Sequence, residues 1–222
     1  MEKQFKYATF NYNSEDEKLV EMLGNYLDER GQDIYNFFNN PCFKRCNIKI
    51  INTKEEFDEI VKKIRNNGKD VPKWVIGITT FDEIIYLSLS DYKNTSHKYQ
   101  LKNYDEALDY YKKTIVHEFV HFVNNLYCDG RNKERPLKCL LEGVALNISG
   151  QRDNYNGSFD YSIDDILGNN PCYDGWYLVV KYILDNYDKE YLLSLFDNNS
   201  IARINIIDMF PNIKDYYKNK TR

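Results

Sequence analysis

The chain has 222 residues, 42% apolar and 29% charged, the proportions of a folded globular domain and not of a disordered segment. Thirty lysines and arginines face 34 acids for a formal charge of −4, so the basic surplus that would speak for nucleic acid or an anionic membrane is missing. Length sets a single domain as the expectation, with a sheet-containing part over 1–100 and a helical part over 101–222.

The N-terminus, Met1-Glu2-Lys3-Gln4-Phe5-Lys6, is followed by no apolar stretch of signal-peptide length, and no apolar run is long enough to span a membrane. Five scattered cysteines, Cys42, Cys46, Cys128, Cys139 and Cys172, suit free thiols in a reducing compartment, so a cytoplasmic protein is expected. Cys42 and Cys46 lack a second Cys/His pair at finger-like spacing and read as thiols, not as a zinc site.

In chain order, Phe5–Tyr12 alternates as a half-buried strand, and Asn13-Ser14-Glu15-Asp16 caps a long helix whose apolar positions run from Leu19 towards Pro41, with Gly31 as a break point. A second strand covers Asn47–Ile51. Thr53 and Glu56 then form a capping box for a helix carrying Phe57, Ile60, Val61 and Ile64, which Asn67-Gly68 ends. Lys73–Ile78 and Glu83–Leu89 read as two strands, close enough to pair antiparallel. The first part is therefore expected to be a four-stranded sheet in the order β-α-β-α-β-β. After Asn103 helical patterns dominate, at Tyr104–Tyr127, Leu137–Ser149, Tyr173–Tyr187, Lys189–Phe196 and Ile201–Phe210. Gly150–Pro171 reads as a long loop and a lid candidate. The fold class is α+β: a small N-terminal mixed sheet with helices, then an all-helical part, with a cleft between them.

Against 20 tyrosines the chain has three histidines, so each histidine position is informative. Two of them stand in His117-Glu118-Phe119-Val120-His121, an H-E-x-x-H pattern within the first helix of the second part. Residues four apart share a helix face, so both imidazoles point into one space that a single zinc ion bridges, with Glu118 beside them. Ile115, Phe119, Phe122 and Leu126 form a separate apolar face. A catalytic zinc takes a third protein ligand. Glu142 lies among Leu140, Leu141 and Val144 on the next predicted helix, which an antiparallel turn at Cys128–Asn132 returns alongside the histidines; the alternative is an outward-facing surface glutamate. His97, in Asn94-Thr95-Ser96-His97-Lys98, reads as a surface histidine.

His117-Glu118-Phe119-Val120-His121 followed by Leu141-Glu142-Gly143-Val144-Ala145 resembles the gluzincin metallopeptidases, and within them is similar to the small "peptidase MA-like" families. Tyr173–Ile183 fits the tyrosine-opened helix that follows the glutamate in those families. The resemblance implies His117, His121 and Glu142 as ligands of Zn2+, Glu118 as general base, and Tyr173 as a donor to the oxyanion; Tyr177, Tyr161 and a purely structural tyrosine are the competing readings for the last role. It implies a zinc peptidase acting on a peptide or protein, and the strand reading makes Ile84–Leu89 the expected edge beside the cleft, on which an extended substrate is laid. The G-x-M-E-N-like segment of the aminopeptidase branch is absent, so endoproteolysis is expected. Leu146 stands where the thermolysin branch has a supporting aspartate, which leaves the group that orients a ligating histidine unidentified. The competing functional class is a zinc-bound module without catalysis that serves binding or regulation.

Overall fold

The computed structural model describes residues 1–66, 68–96, 104–130, 134–155, 157–168 and 170–220; the side chains of 93–96 and 104 lie outside the description. Strand β1 (Glu2–Gln4) turns back on β2 (Ala8–Asn11), which leads into helix α1 (Glu17–Phe37). Next come β3 (Cys46–Ile51), α2 (Lys54–Arg65), β4 (Gly77–Thr79), β5 (Glu83–Leu87) and α3 (Leu89–Ser96). The helical part comprises α4 (Tyr104–Asp129), α5 (Lys138–Ser149), α6 (Ile163–Leu167), α7 (Tyr173–Asn186), α8 (Lys189–Ser194) and α9 (Asn199–Lys220). This is the expected α+β class, with a small mixed sheet followed by helices.

The sheet order is β1-β2-β3-β5-β4. β2, β3 and β5 run parallel, while β1 and β4 close the two edges antiparallel to their neighbours. Three details differ from the sequence expectation. A fifth strand, β1, precedes Phe5, because a hydrogen bond from Phe5 N–H to Ala8 C=O turns the chain before the alternating run begins. The run at Lys73–Ile78 condenses to a short β4 shifted to Gly77–Thr79. Finally, β5 is not the edge: it is buried between β3 and β4, so the expected Ile84–Leu89 edge is replaced by β4.

Gly31 does not break α1; it passes under the ring of Tyr7, where no side chain fits. Thr53 caps α2 by accepting from Glu56 N–H, and the helix closes on Asn66 in the left-handed conformation (φ 44°). α9 runs through Pro211, where the sequence suggested a stop, because Ile213 and Tyr217 continue the buried stripe of Ala202, Ile206 and Met209, and that packing outweighs the lost backbone bond. Within Gly150–Pro171, Ser162 and Asp165 form a capping box for α6, and Phe159 stacks on Tyr217, so part of the expected loop is packed down.

One hydrophobic core joins the sheet to the helices, with Trp176, Tyr86, Tyr111 and Phe119 among its fully buried side chains. Two hydrogen bonds fix α4 on the sheet: Tyr86 Oη donates to Tyr111 O (2.5 Å) and Tyr111 Oη donates to Leu87 O (2.6 Å). Much of the tyrosine surplus is structural in this way. All five cysteines are free thiols, and burial pushes Cys46 and Cys139 up, the latter to about 12. Among the described residues no helix is long and apolar enough to cross a membrane.

Candidate metal centre

Helix α4 carries its two faces as the sequence spacing requires. Ile115, Phe119 and Phe122 are wholly buried in the core, and His117, Glu118 and His121 turn towards a cavity of about 930 Å³ between α4, α5, α7 and β4. The histidine Nε2 atoms lie 3.0 Å apart, and Glu142 Oε2 on α5 lies 3.3 Å from His117 Nε2 and 3.5 Å from His121 Nε2. Three atoms bound tetrahedrally to one ion at about 2.0–2.1 Å are separated by roughly 3.3 Å. The observed triangle therefore fits one metal ion, and among the described residues it is the one group of three or more such side chains placed to hold one.

Burial raises the Glu142 carboxyl, but the two imidazoles more than offset it and hold Glu142 well below the usual carboxylate range, in the anionic form a metal needs. For His121, burial lowers the pKa, and the Glu142 carboxylate reverses that to a net rise, with Arg135 pulling the other way. The Nδ1 atoms of both histidines are buried and meet no acceptor among the described residues. Leu146 lines the cavity with an apolar side chain.

Glu142 reaches the histidines because α5 packs against α4, and α7 in turn packs on α5 at very close range. A Cβ on Gly143 would meet Trp176 O at 2.5 Å, so the glycine after Glu142 lets α7 lie directly on α5. That contact carries Tyr173, the first residue of α7, to the cavity wall, its ring edge-on to Trp176 (5.3 Å). Burial, with the Glu142 and Glu118 carboxylates nearby, pushes the Tyr173 hydroxyl up to about 12, which keeps it protonated. Neither Tyr177 nor Tyr161 lines the cavity: Tyr177 is buried against α5, and Tyr161 lies beside Tyr155 in the segment before α6. Tyr110 does line it, unanticipated from the sequence. His97 lies outside the described residues.

The strand side supplies residues that motif reading did not reach. Thr79 Oγ1 lies 2.6 Å from Glu118 Oε2 and 2.8 Å from Glu118 O, a hydroxyl shared between the carboxylate and the helix backbone. At Gly77 β4 passes close to α4: a Cβ there would stand 2.8 Å from Glu118 Cγ and 3.0 Å from the Tyr86 ring. A glycine inside a strand run is a recognised sign of close approach, and Gly77 within Trp74–Ile78 was such a sign. At the far end of β4, Asn125 Nδ2 donates to Thr80 O (3.2 Å), tying the edge strand to α4 again.

The fold and site thus define an α+β protein whose His117, His121 and Glu142 can hold a metal ion at the floor of a cleft bordered by an edge strand. Compared with protein-family models, curated proteins and solved structures, the chain gives no match in any of the three.

Proposed function

We propose that the protein is a zinc-dependent peptidase of the gluzincin kind, cutting within peptide or protein chains. The observation that carries the reading is the placement of Glu118: it faces the cavity beside the His117–His121–Glu142 triad without belonging to it, and Thr79 orients its carboxylate. Two histidines and one carboxylate also suit iron(II), but an aligned free carboxylate at their side is what a hydrolytic zinc site requires. His117, His121 and Glu142 would hold the zinc, which lowers the pKa of a bound water to about 7 and polarises a carbonyl.

The chain's own groups account for the remaining steps. Glu118 takes a proton from the attacking water on its carboxylate and delivers it to the departing amine nitrogen. Its second constraint, the Thr79 hydroxyl, fixes the direction in which that carboxylate works. The Tyr173 hydroxyl, held protonated, donates to the oxygen that gains negative charge from the scissile carbonyl. β4, an edge strand lining the cleft, offers unpaired main-chain groups to an extended substrate, the role that the sequence reading gave to β5.

Incubation of the protein with a peptide library after chelation, and again after adding back zinc, tests the reading. Cleavage lost on chelation and restored by zinc is expected; cleavage that persists in excess chelator would point to a contaminant or another mechanism.

A further inference from the structure

The cleft's charges are unevenly chosen. Apart from Glu118 and Glu142, both already committed to the centre, the charged side chains lining the cavity are Arg65, Arg135 and Arg152. Eight of the chain's 30 basic residues are arginine, yet all three at the cavity are. Arg152 is engaged, its Nε 2.6 Å from Asp174 Oδ1. Arg65, the last residue of α2, and Arg135, ahead of α5, are exposed, and their guanidiniums have no hydrogen bond or ion pair among the described residues. Arg135 stands where the cavity meets a smaller hollow of about 360 Å³ formed with Thr79, Thr80, Phe81 and Asn125, whose one carboxylate is Asp129.

An exposed planar guanidinium is matched to a carboxylate, which it grips in a two-bond fork. The chain as a whole carries −4, so long-range attraction does not bring acidic molecules here, and any preference must arise from these local contacts. We infer that Arg135 and Arg65 select substrates with glutamate or aspartate side chains flanking the scissile bond, making acidic peptide segments the preferred class. This rests on the peptidase reading above.

Two peptide pools serve as the probe, identical except that every glutamate and aspartate of one is glutamine or asparagine in the other. The zinc-loaded protein is expected to cut the acidic pool about tenfold better in kcat/KM, a ratio that one charge-assisted contact supplies. The ratio should shrink in Arg135→Gln and in Arg65→Gln, shrink further in the double variant, and fall in 1 M salt, where charges are screened beyond about 3 Å. Because each variant is compared with itself on two pools, a partial loss of folding cancels. Both pools cut equally by the wild type, or a ratio unmoved in the double variant, would overturn the inference and leave the peptidase reading standing. If neither pool is cut, the peptidase reading fails, and binding of the same pools to the zinc-loaded protein by fluorescence anisotropy decides: tighter binding of the acidic pool sustains the charge selection, and equal binding ends it.

Discussion

On the α4–α5 side of the cleft, three ligand atoms are brought within 3.0–3.5 Å of one another by helix periodicity within α4 and by the packing of α5 against it. On the β4 side, the carboxylate of Glu118 is aimed by a single threonine hydroxyl and kept in place by the absence of a side chain at Gly77. The helical wall thus determines whether a metal is held, and the strand wall determines whether the residue beside it is useful. Substitutions should therefore separate the two: changes on the helical wall remove metal and activity together, while changes on the strand wall spare the metal.

The largest effect is expected from Glu142→Ala, which removes one corner of the triad and leaves two buried imidazoles facing each other. Zinc retention in elemental analysis and peptide cleavage should both drop to background, and a variant that kept one zinc per chain would place the third ligand elsewhere. Tyr173→Phe comes next. Losing one donor to a developing oxyanion costs about a hundredfold in kcat, with zinc content unchanged; a smaller change, under about twofold, would return Tyr173 to a structural role beside Trp176.

Gly77→Ala tests the strand wall itself. The added methyl must displace Glu118 or the Tyr86 ring, and a displaced base lowers kcat by roughly ten- to a hundredfold while zinc stays bound. Loss of zinc in this variant would mean that the two walls are not separable. Thr79→Val sharpens the same point with less steric disturbance, and a deficit smaller than that of Gly77→Ala is expected in kcat.

The smallest effect concerns Asp16, buried away from the cleft, where one carboxylate oxygen accepts from Ser88 and the other meets no partner. Burial raises its pKa, with the Ser88 bond opposing. A group whose folded pKa lies above its unfolded value favours folding when protonated and loses that contribution as pH rises through the folded pKa. Denaturation midpoints of wild type and Asp16→Asn should therefore shift relative to each other in the wild type's favour as pH falls from neutral, whereas a constant difference would show that Asp16 does not titrate there.

The same contrast explains which features could be read from the sequence. His117, Glu118 and His121 follow from spacing on one helix, and Glu142 from its apolar neighbours on the next, since both are local patterns. Most helices of the second part and three of the five strands were likewise legible in their periodicity, but α6 lay in the expected loop and α9 ran past its expected end at Phe210. Which strand forms the edge was not: β4 and β5 are both apolar runs, and their order in the sheet is decided by pairing with β3, a contact between distant segments. Thr79 was invisible for the same reason, because a lone threonine acquires meaning only once β4 lies against α4. The tyrosines show the limit most clearly. Composition marked them as unusual, yet only packing distinguishes Tyr173 at the cavity from Tyr86 and Tyr111, which hold α4 on the sheet.

The central claim, that a metal triad and an aligned base act together, is tested most directly by measuring zinc content and peptide hydrolysis in the same preparations of wild type and Glu118→Gln. One zinc per chain in both, with hydrolysis in the wild type and a loss of about a thousandfold or more in the variant, is the expected result. A zinc-free wild type, or equal hydrolysis by the two proteins, would contradict it.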